Sequence, residues 1–185
     1  TPLYSSAASD VYKRQDVLAA AVILQSKKPI DDLTDSKAIN ALQRSFVYKE
    51  IIQNCICYSI GRASVDEIVR FNSLQASLLA MKRAIIKLKK KPTLVLIDGN
   101  KLPKLKNYKL NSVIKGDKKI SSISAASIIA KVARDNSISN LGKKHKGYFW
   151  DLNYGYGTKQ HLQAIKKLGI TVHHRKTFSP INKYK

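Results

Sequence analysis

Acidic residues are scarce in this sequence. Asp and Glu number 12 against 34 Lys and Arg, which leaves a formal charge of +22 on 185 residues. A balance so one-sided points to a polyanionic partner, of which nucleic acid is the usual one. Cysteine is nearly absent as well. Cys55 and Cys57 are the only two, and their i, i+2 spacing suits neither a disulfide framework nor a zinc site, which needs about four ligands. A reducing, cytoplasmic setting is the simplest reading, with both thiols on one strand face in the core. Long apolar runs are missing too. The VLAAAVIL stretch at Val17–Leu24 is far below the roughly 20 residues that span a bilayer, so no membrane span is expected. No charged stretch leads into an apolar one as in a signal peptide. What is present is a 44% hydrophobic fraction, enough for one sizeable core and too much for a disordered basic tail.

The basic residues are 27 Lys and 7 Arg. Lysine is a flexible point charge that suits phosphate backbones better than base edges. From Ile68 onward the only acids are Asp98, Asp117, Asp135 and Asp151, within a stretch that holds 26 of the 34 basic residues. Each acid weakens phosphate binding, so each needs a reason. Helix caps and turns supply one. Divalent metal supplies the other, because it needs carboxylate oxygens and bridges them to phosphate.

Residues 1–15 show neither strand nor helix period and read as a non-native N-terminal segment ahead of a domain over 16–185. Val17–Leu24 reads as a buried strand. Asp35 is placed to cap a helix running to about Gln53. Residues 54–64 alternate as a strand, and Ser64 or Asp66 can cap a long helix to about Leu88, which Pro92 closes off. Residues 93–97 form an apolar strand, 101–110 a lysine-rich loop, and 112–114 a further short strand. Helices follow over 122–140 and 160–167, the second closed by Gly169, with a basic, aromatic, glycine-rich loop over 141–158 between them. Strands alternate with helices, so the class is α/β.

Asp98 stands just past an apolar strand and before a glycine, the place where open α/β sheets build their sites, although a turn aspartate reads the same way. Asp117 repeats the pattern in Lys115-Gly116-Asp117. Asp135 lies within a helix, with Lys131 four residues before it and Arg134 beside it, and a helix-surface ion pair is the competing reading. Three carboxylates on separate elements can converge to hold two metals that activate water and stabilise the leaving oxygen of a phosphodiester, a site that usually wants about four carboxylates. Tyr156 lies between glycines in a basic loop and can stack on a sugar or base, or anchor its loop to the core. The pair His173-His174 has no metal-ligand spacing and reads as phosphate contact or surface.

At these residues the chain resembles a known family. LLAMKRAI (78–85), VLIDGNKLPKL (95–105), VIKGDKKISSISAASIIAKVARD (113–135), GYGTKQHLQAI (155–165) and HHRKTFSPI (173–181), with DLTDSKAI (32–39) and VLAAAVIL before them, closely resemble bacterial ribonuclease HII. The resemblance covers roughly 17–181. It implies a ribonuclease H-like fold, a mixed central sheet flanked by helices. It also implies a monomeric endonuclease that uses Mn2+ or Mg2+ to cut the phosphodiester 5′ of ribonucleotides in RNA–DNA hybrids or embedded in duplex DNA. By motif, Asp98 and Asp117 match two metal-binding carboxylates, and Asp135 matches a further catalytic aspartate of lower rank. Tyr156 matches the tyrosine that stacks beside the ribonucleotide, and Lys37 matches a phosphate contact.

One departure is specific. The family opens with a strand leading into Asp-Glu-Ala-Gly-Arg-Gly, in which the Asp and Glu complete the metal site. Anchored on VLAAAVIL without gaps, those two positions hold Ser6 and Ala7, and Asp10 is off register. The expected consequence is weak or absent cleavage. The alternative is a non-catalytic protein that binds hybrids or ribonucleotides, and a basic ribosome-associated domain is a third reading that leaves the placement of the aspartates unexplained.

Overall fold

The computed structural model describes residues 2–7, 16–25, 30, 33, 39–174 and 181. Its elements follow in the order β1 (Pro2–Ala7), β2 (Val17–Leu24), α1 (Ala41–Asn54), β3 (Cys55–Ala63), α2 (Val65–Ile86), β4 (Leu94–Asp98) and β5 (Leu110–Val113), then a 3₁₀ turn (Gly116–Lys118), α3 (Ser121–Lys144), α4 (Trp150–Asn153) and α5 (Lys159–Leu168). The strands form one sheet in the order β3-β2-β1-β4-β5. β1 runs antiparallel to β2 and parallel to β4, β2 is antiparallel to β3, and β4 is parallel to β5. This is the mixed α/β sheet flanked by helices that the sequence implies.

β2 explains the layering. Alternate side chains of a strand face opposite sides, so Val17, Ala19, Ala21 and Ile23 join one core cluster while Ala20 and Val22 join another. The first cluster includes Ile68, Ala80, Met81 and Ile85 of α2 with Val95 and Ile97 of β4. The second includes Val47 and Ile51 of α1 with Ile128 and Ile129 of α3. A strand covered on both faces reads as an unbroken apolar run, which is why VLAAAVIL is legible. Its small residues also let the helices come close. At Gly61 of β3 the approach is closer still: an added Cβ would lie 2.0 Å from the Ala80 carbonyl oxygen and 2.5 Å from the Ala84 nitrogen.

The structure corrects several expectations. Pro2–Ala7 is the central strand of the sheet, not a segment without regular structure. α2 and α3 both pack against it, and a central strand covered on both faces needs no alternating pattern to form. α1 begins at Ala41, not near Asp35, because Asn40 caps it: the Asn40 side chain accepts the Gln43 N–H at 2.9 Å, and the Gln43 side chain accepts the Asn40 N–H at 3.0 Å. Asp35 lies outside the described residues. For α2 the capping residue is Ser64, again with a reciprocal partner in Glu67. Within α2, Asn72 leaves the helix (φ 68°, ψ 168°), and its side chain accepts the Gln75 N–H at 3.1 Å, so it caps the second half anew. β5 starts at Leu110, inside the stretch read as a loop, and α4 interrupts the loop over 141–158.

Cys55 and Cys57 do not share a face. Their partners on β2 are the consecutive residues Leu24 and Ile23, with a bulge between. The extra residue turns the alternation over, so Cys57 joins the α2 side and Cys55 packs on the α1 side. Both thiols are free, and burial pushes the Cys55 thiol up.

Candidate active site

Asp98 is the last residue of β4 and Asp117 sits in the 3₁₀ turn that leads into α3. The two are 19 positions apart in sequence, yet the fold sets the end of β4 against the turn that carries Asp117. Asp98 Oδ1 accepts the backbone N–H of Gly116, the residue before Asp117, at 2.8 Å. A second bond, from Gly99 N–H to the Val113 carbonyl at 3.0 Å, fixes the same two segments. Asp117 is 5% exposed.

The turn that carries Asp117 is built with strain. Lys115 has left-handed backbone (φ 55°, ψ 41°), a region costly for a residue with a Cβ and frequent at functional sites. Gly116 follows in a closely packed spot: a Cβ there would lie 2.5 Å from Ile123 Cδ1 and 3.3 Å from Val113 Cβ, so the buried Ile123 side chain would have to shift. The turn opens into α3, whose first turn contains no acidic residue, so its positive dipole end lies beside the aspartate turn.

Asp135 is elsewhere. It lies about 21 Å along α3 from the first residue, at 1.5 Å rise per residue. Its carboxylate stands between Arg44 of α1 (3.3 Å) and Arg134 (3.5 Å). Among the described residues no three His, Cys, Asp or Glu side chains come close enough to hold a metal ion together. The expected convergence of three carboxylates is therefore not seen among the described residues: the helix register turns Asp135 toward α1, which leaves Asp98 and Asp117 as the candidates on bonded segments.

β1 brings two further positions to the pair. Its register with β4 pairs Ser5 with Ile97, so Ser6 follows Ser5 on one strand as Asp98 follows Ile97 on its parallel neighbour. Both strands end at the same edge, and the residues there on β1 are Ser6 and Ala7, neither of which is a carboxylate.

Tyr156 lies in the turn between α4 and α5 and is 43% exposed. Asn153 and Tyr154 set that turn. The buried Asn153 amide donates to the Tyr148 carbonyl at 2.8 Å, and its oxygen accepts the Gly155 N–H at 2.9 Å. Tyr154 is left-handed (φ 47°) and Gly155 follows at φ 78°. Thr158 then caps α5, accepting the His161 N–H at 3.2 Å. Lys37 lies outside the described residues.

His161 and His174 are not surface phosphate contacts, while His145 and His173 are half-buried. His161 and His174 are 0% and 1% exposed and stack with ring centroids 5.5 Å apart, beside Tyr148 and Trp150. His161 Nδ1 lies 2.8 Å from the Tyr148 carbonyl, and His174 Nδ1 accepts the Thr171 N–H at 3.0 Å. Burial and the neighbouring His145 lower the His173 imidazole from its ordinary value. Histidines adjacent in sequence carry no signal that separates a core ring from a surface one. The sequence reads Arg134 only as a neighbour of Asp135 on a helix surface, and its burial to 5% exposure has no signal there, because it looks like any charge on a helix.

The family model described as Ribonuclease HII matches residues 17–181. The Ribonuclease HII of Pelagibacter ubique (strain HTCC1062) is 62% identical over 166 residues, covering 90% of this chain and 89% of that protein. That of Delftia acidovorans (strain DSM 14801 / SPH-1) is 48% identical over 165 residues, covering 89% and 70%. The crystal structure of the ribonuclease H2 from Pyrococcus horikoshii OT3 is similar in fold, with a TM-score of 0.82 at 23% identity over 99% of this chain and 96% of that one. So is Bst-RNase HIII in complex with Mn2+, with a TM-score of 0.79 at 14% identity over 99% and 68%.

Proposed function

The chain belongs to the ribonuclease HII family, and from that we propose that it recognises ribonucleotides in RNA–DNA hybrids and in duplex DNA and hydrolyses the phosphodiester on their 5′ side. The observation that supports the reading is the hydrogen bond from Gly116 N–H to Asp98 Oδ1, which joins two segments that each carry one of the rare acids of a strongly basic chain. The reading is of a cytoplasmic monomer. Among the described residues no helix is long and apolar enough to cross a membrane.

Asp98 and Asp117 are hard oxygen donors, which suits Mg2+ or Mn2+ rather than zinc. They would hold the ion, which when bound supplies an activated water and a charge against the leaving oxygen. The rest falls to the chain. The lysines around the turn, Lys115, Lys118 and Lys119, give the phosphate backbone its counter-charges. The exposed Tyr156 ring offers a face for the sugar or base of the ribonucleotide, and Lys37 adds a phosphate contact. Asp135 has a structural part, as acceptor for Arg44 and Arg134.

Two carboxylates cannot neutralise and orient two metals as four can. With Ser6 and Ala7 beside Asp98, cleavage by this chain is weak or absent, because the interactions that are missing are those that matter most in the transition state. A second reading draws on the same two residues: a protein that senses ribonucleotides without cutting.

Two measurements test this. Fluorescence anisotropy on three duplexes of one sequence (all-DNA, with one ribonucleotide, and RNA–DNA hybrid) is expected to show preference for the last two. Affinity is expected to fall steeply with salt, by about 0.9 log units per log unit of salt for each phosphate neutralised. Equal affinity for all three duplexes would overturn the reading. Gel assays with Mn2+ then separate enzyme from binder, and cleavage at wild-family rates would refute the impairment.

A further inference from the structure

Arg134 is a cation buried to 5% exposure, and burying a guanidinium is costly unless its donors are used. Its contacts show where they go. Nη2 donates to the Tyr154 carbonyl at 2.9 Å, Nη1 lies 3.5 Å from Asp135 Oδ1, and the guanidinium carbon sits 5.9 Å from the centre of the Tyr156 ring. Backbone bonds hold the trace of the loop it reaches, with the Tyr156 N–H on the Asn153 carbonyl at 2.8 Å and the Gly155 N–H on the Asn153 side chain at 2.9 Å, while the tyrosine ring itself stands exposed after a left-handed residue and a glycine. Asp135 in turn is held by Arg44 at 3.3 Å, which ties the arrangement to α1.

We propose that Arg134 is a positioning residue for Tyr156: from inside the protein it pins the carbonyl two residues earlier and supports the ring, so that the exposed face is already set when a ribonucleotide arrives. The inference rests on the reading of Tyr156 as the ribonucleotide contact. The chemistry favours arginine here. A planar guanidinium can donate along its edge to a carbonyl and offer its charge to a ring at the same time. An ammonium is a point donor and cannot do both. A tyrosine held in place loses less rotamer freedom on binding than a mobile one, and that gain is spent only on the nucleotide the ring touches. Arg134 therefore acts on the discrimination between ribose and deoxyribose more than on overall affinity, which the lysines carry.

The test compares the parent chain with Arg134→Lys, Tyr156→Ala and the double variant. The readout is the ratio of affinities for the one-ribonucleotide duplex and the all-DNA duplex, with a thermal melt of each variant. Tyr156→Ala is expected to reduce the ratio about five-fold or more, the scale of losing one stacked contact. Arg134→Lys is expected to lower it at least two-fold with the all-DNA affinity nearly unchanged, and the double variant should lose no more than Tyr156→Ala alone. A purely structural arginine would lower the melting temperature and leave the ratio alone. If Tyr156→Ala abolishes the preference and a folded Arg134→Lys keeps it, the inference fails and the reading of Tyr156 stands. If the parent shows no preference, or Tyr156→Ala does not change it, that reading fails and the inference falls with it. Should Arg134→Lys not fold, Arg134→Met puts an unbranched apolar chain at the site, and the same ratio decides. Failure of both to fold would make Arg134 a core residue and overturn the proposal.

Discussion

Asp98 and Gly116 are joined across 18 positions by a hydrogen bond of 2.8 Å, the carboxylate oxygen accepting the backbone N–H. The end of β4 and the turn bearing Asp117 are thereby one unit. The carboxylate has this structural duty and, on the metal-binding reading proposed above, a chemical one, and two substitutions separate them. Asp98→Asn keeps an oxygen acceptor for Gly116 and removes the charge, so the melting temperature should hold while Mn2+ affinity, measured by titration calorimetry, drops at least about ten-fold. Asp98→Ala also strands the Gly116 N–H, which costs about 1–3 kcal/mol. Unchanged Mn2+ affinity in Asp98→Asn would remove the metal role.

The register of β1 against β4 specifies a gain of function. Ser6→Asp with Ala7→Glu puts carboxylates on the strand end beside Asp98. Mn2+-dependent cleavage of a one-ribonucleotide duplex should rise at least about 100-fold, the scale of restoring one transition-state contact. Product formation is compared with a chelator control. No gain would mean that the absent carboxylates are not what limits this chain.

Glu67 and Arg83 link the start of α2 to its last turn through two hydrogen bonds of 2.7 Å. Those bonds and the Ser64 N–H hold the Glu67 carboxyl down at about 2, from an ordinary value of 4.5. A carboxyl lowered in the folded state adds stability that is complete above its unfolded value and is lost as pH falls toward its folded one. Glu67→Gln should therefore lower the melting temperature at pH 7, by about 1–3 °C for a partly exposed pair. The gap should close between pH 4.5 and 2. A gap that does not depend on pH would show that the carboxylate charge contributes nothing.

Gly61 is where β3 and α2 touch backbone to backbone. Gly61→Ala forces a Cβ to within 2.0 Å of the Ala80 carbonyl, and neither neighbour is a side chain that can swing away. A loss of about 3 kcal/mol, the upper range of overpacking, should appear as a lower urea midpoint. A midpoint within error of the parent would mean that α2 can slide on the sheet.

Much of this was legible from the residues alone. β2 announced itself because burial on both faces removes polar positions from a strand. Asp98 and Asp117 stood out because acids are rare in a chain of +22 and both follow short strands. α5 was marked by its closing glycine. β1 was not legible, since its strand character comes from two neighbours on which its own composition is silent. The faces of Cys55 and Cys57 depended on a bulge, and one extra residue in a ladder inverts every later side chain.

The sequence by itself determined the charge, the α/β class and which acids were available, because these follow from composition and from periods that each segment carries alone. Only the tertiary structure decided which of those acids stand on joined segments. The segments that carry Asp98 and Asp117 are joined by hydrogen bonds across distant stretches of chain, while the turn of α3 commits Asp135 to Arg44 and Arg134. It likewise decided that Arg134 and His174 are interior groups. Local sequence states what a side chain is, but its surroundings, and so its task, are set by contacts made after long stretches of chain have closed.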